Sequence, residues 1–229
     1  VQLTANPAGG TWSGANVSAS GLFDASGLAA GPYNVMYTYS DANECTNSDG
    51  AVVTVNALPS VGANNAEVCT GFTVQLTANP AGGTWSGANV SASGLFDASG
   101  LAAGPYNVMY TYSDANECTN SDGAVVTVNA LPTVVANNAE VCTGFTVQLT
   151  ANPAGGTWSG ANVSTSGLFD ASGLAAGPYN VMYTYSDANE CTNSDGAVVT
   201  VNALPSVGAN NAEVCTGFTV QLTANPAGG

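Results

Sequence analysis

Lysine, arginine and histidine are absent from all 229 residues, against 15 Asp and Glu, which gives a formal charge of −15. Phosphate, nucleic acid and anionic lipid are held mainly through Lys and Arg, so no nucleic-acid partner is expected. The amines, guanidinium groups and imidazoles that usually act as bases, nucleophiles or metal ligands are missing too, and a catalytic triad cannot be assembled. Paired carboxylates alone can hydrolyse glycosides, but so short a repeat as the one described next offers little material for the cleft this needs. No enzyme is expected. Long apolar runs are also lacking: no stretch approaches the roughly 18 residues of a membrane helix, so no membrane insertion is expected in this segment.

What is present is repetition, the first property to test in any sequence. VQLTANPAGG begins at Val1, Val74, Val147 and Val220, which defines a 73-residue repeat. The second copy departs from the first only where Ser60 and Gly62 give way to Thr133 and Val135, and the third only where Ala19 becomes Thr165. Copies this alike leave no room for a private active site in any one of them. The sequence opens on Val1 and stops ten residues into a repeat, as expected of a segment of a longer polypeptide.

Proline marks the physical boundaries, because it ends one strand before the next begins. Pro59 and Pro132 place intact domains at 59–131 and 132–204, with 1–58 a repeat lacking its first strand and 205–229 the opening of a further one. Within 59–131, residues 72–78 (FTVQLTA) alternate as a half-buried strand does, with Phe72, Val74, Leu76 and Ala78 inward. A turn at 79–83 leads to a short strand at 84–86. Residues 94–97 (GLFD) precede the longest strand, 106–112, whose inward set is Tyr106, Val108, Tyr110 and Tyr112, leaving Met109 exposed. A polar loop at 113–123 leads to a last strand at 124–130. Short strands with turn signals between them and no helical spacing predict an all-β fold, an antiparallel β-sandwich.

Trp85 on the short strand and the Leu101-x-x-Gly104-x-Tyr106 pattern, a tyrosine corner, narrow this to tandem immunoglobulin-like (Ig-like) sandwiches. The order Val68-Cys69-x-Gly71, Thr84-Trp85-Ser86-Gly87, Gly94-x-Phe96, Ala103-Gly104-x-Tyr106-x-Val108-x-Tyr110 and Asp114-Ala-Asn-x-Cys118 resembles the Ig-like and PKD-like repeats of giant bacterial cell-surface proteins of the Bacteroidetes type, including gliding-motility-associated adhesins. Relatives often carry Gly just before the second Cys, where this chain has Glu117. The resemblance implies an extracellular, cell-surface location and a stalk, adhesin or filament. The primary expectation is a passive structural filament or stalk, with neighbouring repeats, and other copies in a filament, as partners. The alternative is an adhesin or glycan-binding module, which would show a concave patch of exposed aromatics.

Three further groups stand out. The cysteines, Cys45, Cys69, Cys118, Cys142, Cys191 and Cys215, fall two per repeat without CxxC spacing, so disulfides in an oxidising compartment are expected rather than zinc. The pairing stays open between Cys69–Cys118 with Cys142–Cys191 inside domains, Cys69–Cys191 between neighbouring domains, and Cys118–Cys142. Asp114, Asn116, Glu117, Asn120 and Asp122 crowd oxygen atoms into nine residues, a calcium candidate without EF-hand spacing; otherwise no cofactor is expected. Asn16, Asn89 and Asn162 head formal N-glycosylation sequons. The junction around Pro132 has no Gly or Ser run, unlike a flexible linker, so a semi-rigid rod advancing about 30–40 Å per repeat is expected from strand rise.

Overall fold

A computed structural model describes residues 1–225 and divides the chain into two compact units, Val1–Val128 and Asn129–Gly229. All regular structure among the described residues is β. The expected opening of a further repeat, 205–229, extends past them at 226–229.

In the first unit, the stretch from Pro59 onward builds a sandwich. One layer is a four-stranded sheet in the order Ala66–Cys69, Thr119–Asn129, Gly104–Ser113, Thr84–Gly87. The facing layer is made of short ladders, Gly62–Ala63 with Ala78–Asn79 and Thr73–Gln75 with Leu95–Asp97. The tyrosine strand and the closing strand form a ten-pair antiparallel hairpin running from Gly104↔Val128 to Ser113↔Thr119. Alternation along it turns Val108, Tyr110, Ala124, Val126 and Val128 inward, where they meet Trp85, Leu76, Phe96 and Ala98. Phe96 is wholly buried and packs on the Tyr106 ring at 5.9 Å.

In the second unit, Ala139–Cys142, Thr192–Asn202, Gly177–Ser186 and Thr157–Gly160 repeat the four-stranded sheet. Its opening strand runs parallel to the closing strand, Ala139↔Val199 to Cys142↔Asn202, whereas the tyrosine hairpin is antiparallel. The sandwich is thus antiparallel except at this one edge. Residues 205–225 keep only the short ladder Gly208–Ala209 with Ala224–Asn225.

Residues 1–58 carry the same sequence as later repeats but lack the opening strand. Their sheet has three strands, Thr11–Gly14, Gly31–Ser40 and Thr46–Val55. The buried hydrophobic side chains there are Trp12, Phe23 and Val35, and Val53 and Val55 are half-buried where Val126 and Val128 are fully enclosed. The opening strand is therefore what closes the core over the last strand.

Two sequence expectations need correction. Phe72 is 56% exposed rather than inward. It belongs to the turn after Cys69, in which the Phe72 N–H bonds the Cys69 carbonyl and Gly71 takes φ 87°, so inward alternation begins at Val74. The polar stretch 113–123 is not a loop, because Thr119–Asn129 is one strand and the turn occupies only 114–118. Asn, Ser, Asp and Gly are poor strand formers, but here the tyrosine strand supplies the pairing.

The tight turn holds Glu117 in the left-handed region. Glu117 sits at φ 62°, and Glu44 and Glu190 repeat this at 63° and 62°. A left-handed conformation costs a residue with a Cβ about 1–2 kcal/mol, less the extra freedom that Gly has when unfolded. Glu117→Gly should leave the melting temperature unchanged or raise it. A fall comparable with that of a core substitution would show that the Glu side chain holds the turn.

Candidate functional site

The acidic hairpin is the densest set of polar groups, and its side chains serve the fold. Asp114 closes its own turn: its Oδ1 accepts the N–H groups of Asn116 and Cys118, both at 2.9 Å. Asn120 and Asp122, two apart on the closing strand, face the opening segment instead. Asn120 Nδ2 donates to the Pro59 carbonyl at 2.9 Å, and Asp122 Oδ2 accepts the Ala63 N–H at 2.9 Å. From the opening segment, Asn65 Oδ1 accepts the Val125 N–H at 2.8 Å. Asn193, Asp195 and Asn138 repeat all three bonds in the later repeat. In residues 1–58 the equivalent Asn47 accepts the Ser48 N–H, as Asn120 and Asn193 accept those of Ser121 and Ser194, and Asp49 accepts the Gly50 N–H.

Of the five calcium candidates, Asp114, Asn116 and Glu117 lie in the turn 114–118, and Asn120 and Asp122 lie on the strand Thr119–Asn129. Asp114 serves the turn, whereas Asn120 and Asp122 serve the strand edge. Among the described residues, no group of three or more Cys, Asp or Glu side chains could hold a metal ion.

The aromatics are structural. Trp85 is buried and lies 5.0 Å from the Tyr110 ring. Tyr106 makes the expected corner, its hydroxyl donating to the Ala102 carbonyl at 2.9 Å. A second tyrosine lock has no signature in the sequence. The Tyr110 hydroxyl donates to the Pro80 carbonyl and accepts the Gly83 N–H, both at 2.6 Å, fastening the turn that contains the cis Asn79–Pro80 bond. The spacing from Pro80 to Tyr110 is too long for a local motif to reveal it. An open hollow of about 270 Å³ lies above this lock, lined by Leu76, Trp85 and Tyr110 among others, and recurs in each repeat. The tyrosine hydroxyl beneath it is already bonded on both sides.

Asn16, Asn89 and Asn162 are exposed, at φ 61° to 63°, a conformation Asn tolerates better than most residues. Ser91 of the second sequon accepts the Leu95 N–H through its hydroxyl. Both sequon positions thus have a local structural reason for their residues.

Among the cysteines, Cys69 and Cys191 are disulfide-bonded, whereas Cys45, Cys118, Cys142 and Cys215 are free thiols. The bonds Cys69–Cys118, Cys142–Cys191 and Cys118–Cys142 are accordingly not formed.

Hydrogen bonds lower several aspartate pKa values. Asp97 is lowered by the Ser99 hydroxyl and N–H, as Asp170 is by Ser172; Asp24 is lowered chiefly by the Ser26 N–H, and Asp41 chiefly by the Cys45 N–H and then that of Asn43. A carboxylate depressed on folding contributes stability that is complete above its unfolded pKa, near 4, and lost as pH falls through the lower folded value. Melting temperatures of the protein and Asp97→Asn should differ at pH 7 and converge near pH 2. A difference independent of pH would refute the linkage.

No family model and no curated protein matches the chain. Among solved structures it is similar to a Ca2+-stabilized adhesin that helps an Antarctic bacterium reach out and bind ice, at 18% identity and TM-score 0.36 over 78% of this chain and 59% of that one. It is also similar to fibronectin(III)-like modules of Clostridium thermocellum CbhA, at 13% identity and TM-score 0.30 over 63% and 95%. The Ig1-2 module of the Drosophila receptor protein tyrosine phosphatase DLAR gives 13% and 0.25 over 64% and 100%. The chain spans less than two thirds of the adhesin. Its own strand order and core define tandem Ig-like β-sandwiches, and likenesses this distant carry nothing about ligands.

Proposed function

We propose that this chain is the repeat region of an extracellular structural array, a filament or stalk of Bacteroidetes type, in which each repeat is a passive spacer. The observation that carries this reading is one core built again and again on one period, with its tryptophans turned inward: Trp12, Trp85 and Trp158 are all buried, and the exposed rings Phe72 and Phe145 lie in the turn after the opening strand. An adhesin of the sugar-stacking kind would need those rings on a surface shelf. The three-bond clamp from the opening segment to the closing strand supports taking 59–131 and 132–204 as the repeat units. The uniform negative charge suits solubility of an exposed fibre. The absence of Lys and Arg leaves trypsin no specific site.

Small-angle scattering on chains of increasing repeat number tests the reading. The expected result is a constant cross-section of one domain and a length growing linearly with repeat number. A compact particle would overturn it.

A further inference from the structure

Each repeat carries one Asp-Gly step on its closing strand: Asp49-Gly50, Asp122-Gly123 and Asp195-Gly196. Asp-Gly is the most labile of aspartyl sequences, because glycine has no side chain to hinder attack of its nitrogen on the aspartyl carboxyl. A strand restrains this reaction, since ring closure needs the aspartate to leave the extended conformation with its carboxyl carbon against the next nitrogen. The tyrosine strand restrains Asp49 and Asp122 alike, through the pairs Tyr37↔Asp49 and Tyr110↔Asp122. The opposite edge differs. At Asp122 the opening segment holds the carboxylate away from its own glycine: Oδ2 accepts the Ala63 N–H at 2.9 Å, flanked by the bonds from Asn120 to the Pro59 carbonyl and from the Val125 N–H to Asn65. Asp195 accepts the Ala136 N–H in the same way. In residues 1–58, Thr46–Val55 is itself the edge of its sheet. There Asp49 Oδ1 accepts the Gly50 N–H at 2.9 Å, which sets the carboxyl beside the nitrogen that would attack it. Asp49 is exposed, whereas Asp122 is half-buried.

We propose that Asp49-Gly50 is a site of spontaneous isoaspartate formation, and that the opening segment protects the same step wherever it is clamped on. The Gly50 nitrogen attacks Cγ of the protonated Asp49 carboxyl. A C–N bond forms, and the carboxyl hydroxyl leaves with the amide proton as water. The cyclic imide then takes up one water. Opening at Cγ restores aspartate, whereas opening at the main-chain carbonyl leaves the chain running through Cγ as isoaspartate. No electrons are exchanged, and the water lost equals the water gained. The product has one more carbon in the backbone of the closing strand, so the alternation of side chains is broken at that point. A repeat without its opening segment thus acquires a lasting covalent mark on the edge that the segment would cover. This site does not depend on the spacer reading, since it is set by one strand edge.

Cleavage with cyanogen bromide at Met36, Met109 and Met182 provides the test. Fragments 37–109 and 110–182 each hold one period and differ only where Ser60, Gly62 and Ala92 become Thr133, Val135 and Thr165. Every Asp and Asn is therefore followed by the same residue in both. The folded protein is aged in mildly acidic buffer, reduced and cleaved, and the fragments are labelled with isoaspartyl methyltransferase and tritiated S-adenosylmethionine. Fragment 37–109 should take up several-fold more label than 110–182 with no change in fragment mass, which separates isomerisation from asparagine deamidation. Equal labelling, or an excess matched by a rise in mass, would overturn the proposal. In Asp49→Glu, whose side chain has to close a larger ring, the excess should vanish; its persistence would refute the assignment to Asp49. When the protein is aged in guanidinium the two fragments should label alike. An excess in 37–109 there too would show that the fold is not its source, and the protective role of the clamp would fall.

Discussion

Phe96→Ala is expected to cost about 3–5 kcal/mol and to unfold the second repeat near ambient temperature. Phe96 is fully buried between the two layers, pairing with Val74 on one side and meeting Tyr106 on the other. A domain of this size has a total stability of only about 4–11 kcal/mol at the usual figure per residue, so one ring is a large share. Phe23→Ala makes the same deletion where the closing strand is half-solvated, and less is lost when part of the core is already wet. Calorimetry should show the transition of the second repeat moving much further in Phe96→Ala than that of the first in Phe23→Ala. Equal shifts would mean that the opening strand adds nothing to the core.

A smaller but still large loss is expected from one methyl group at Gly83. A Cβ there would collide with the Thr111 carbonyl oxygen and lie 2.6 Å from the Tyr110 ring. The first of these is backbone in the strand pair Thr111↔Thr84, so relief requires parting the tryptophan strand from the tyrosine strand or breaking the Tyr110 lock. Overpacking of this kind costs about 1–3 kcal/mol, occasionally more. Gly83→Ala should lower the denaturation midpoint accordingly. Gly123→Ala is the control, since its nearest neighbour would be the Val108 carbonyl at 3.8 Å, an ordinary contact. If both variants behave alike, Gly83 is not the tight point.

How much of this is legible in the sequence depends on the range of the interaction. Tyr106 and its corner are legible because the hydroxyl reaches only four residues back. The inward face of the tyrosine strand follows from alternation, as does exposure of Met109, at 46%. The start of the closing strand is not legible, because Asn120, Ser121 and Asp122 look like loop until their partners on the tyrosine strand are known. Side chains that crowd together in sequence point to different tasks once some of the positions belong to a strand and others to a turn. The Tyr110 lock and the clamp on Pro59, Ala63 and Asn65 join residues far apart along the chain, and no local pattern encodes such reach.

The parallel edge has a mechanical consequence. In the second unit Ala139–Cys142, near the start of the sandwich, and its closing strand Thr192–Asn202 lie side by side pointing the same way. Tension applied through the backbone draws one back along its axis and the other forward, sliding them past each other. The evenly spaced bonds of a parallel ladder are then loaded together in shear rather than opened one at a time from an end. Together with the Asn193, Asp195 and Asn138 clamps on the same seam, this gives a high barrier to forced unfolding, which is governed by rate rather than by equilibrium stability. A modest thermal stability is therefore compatible with a repeat that holds under load.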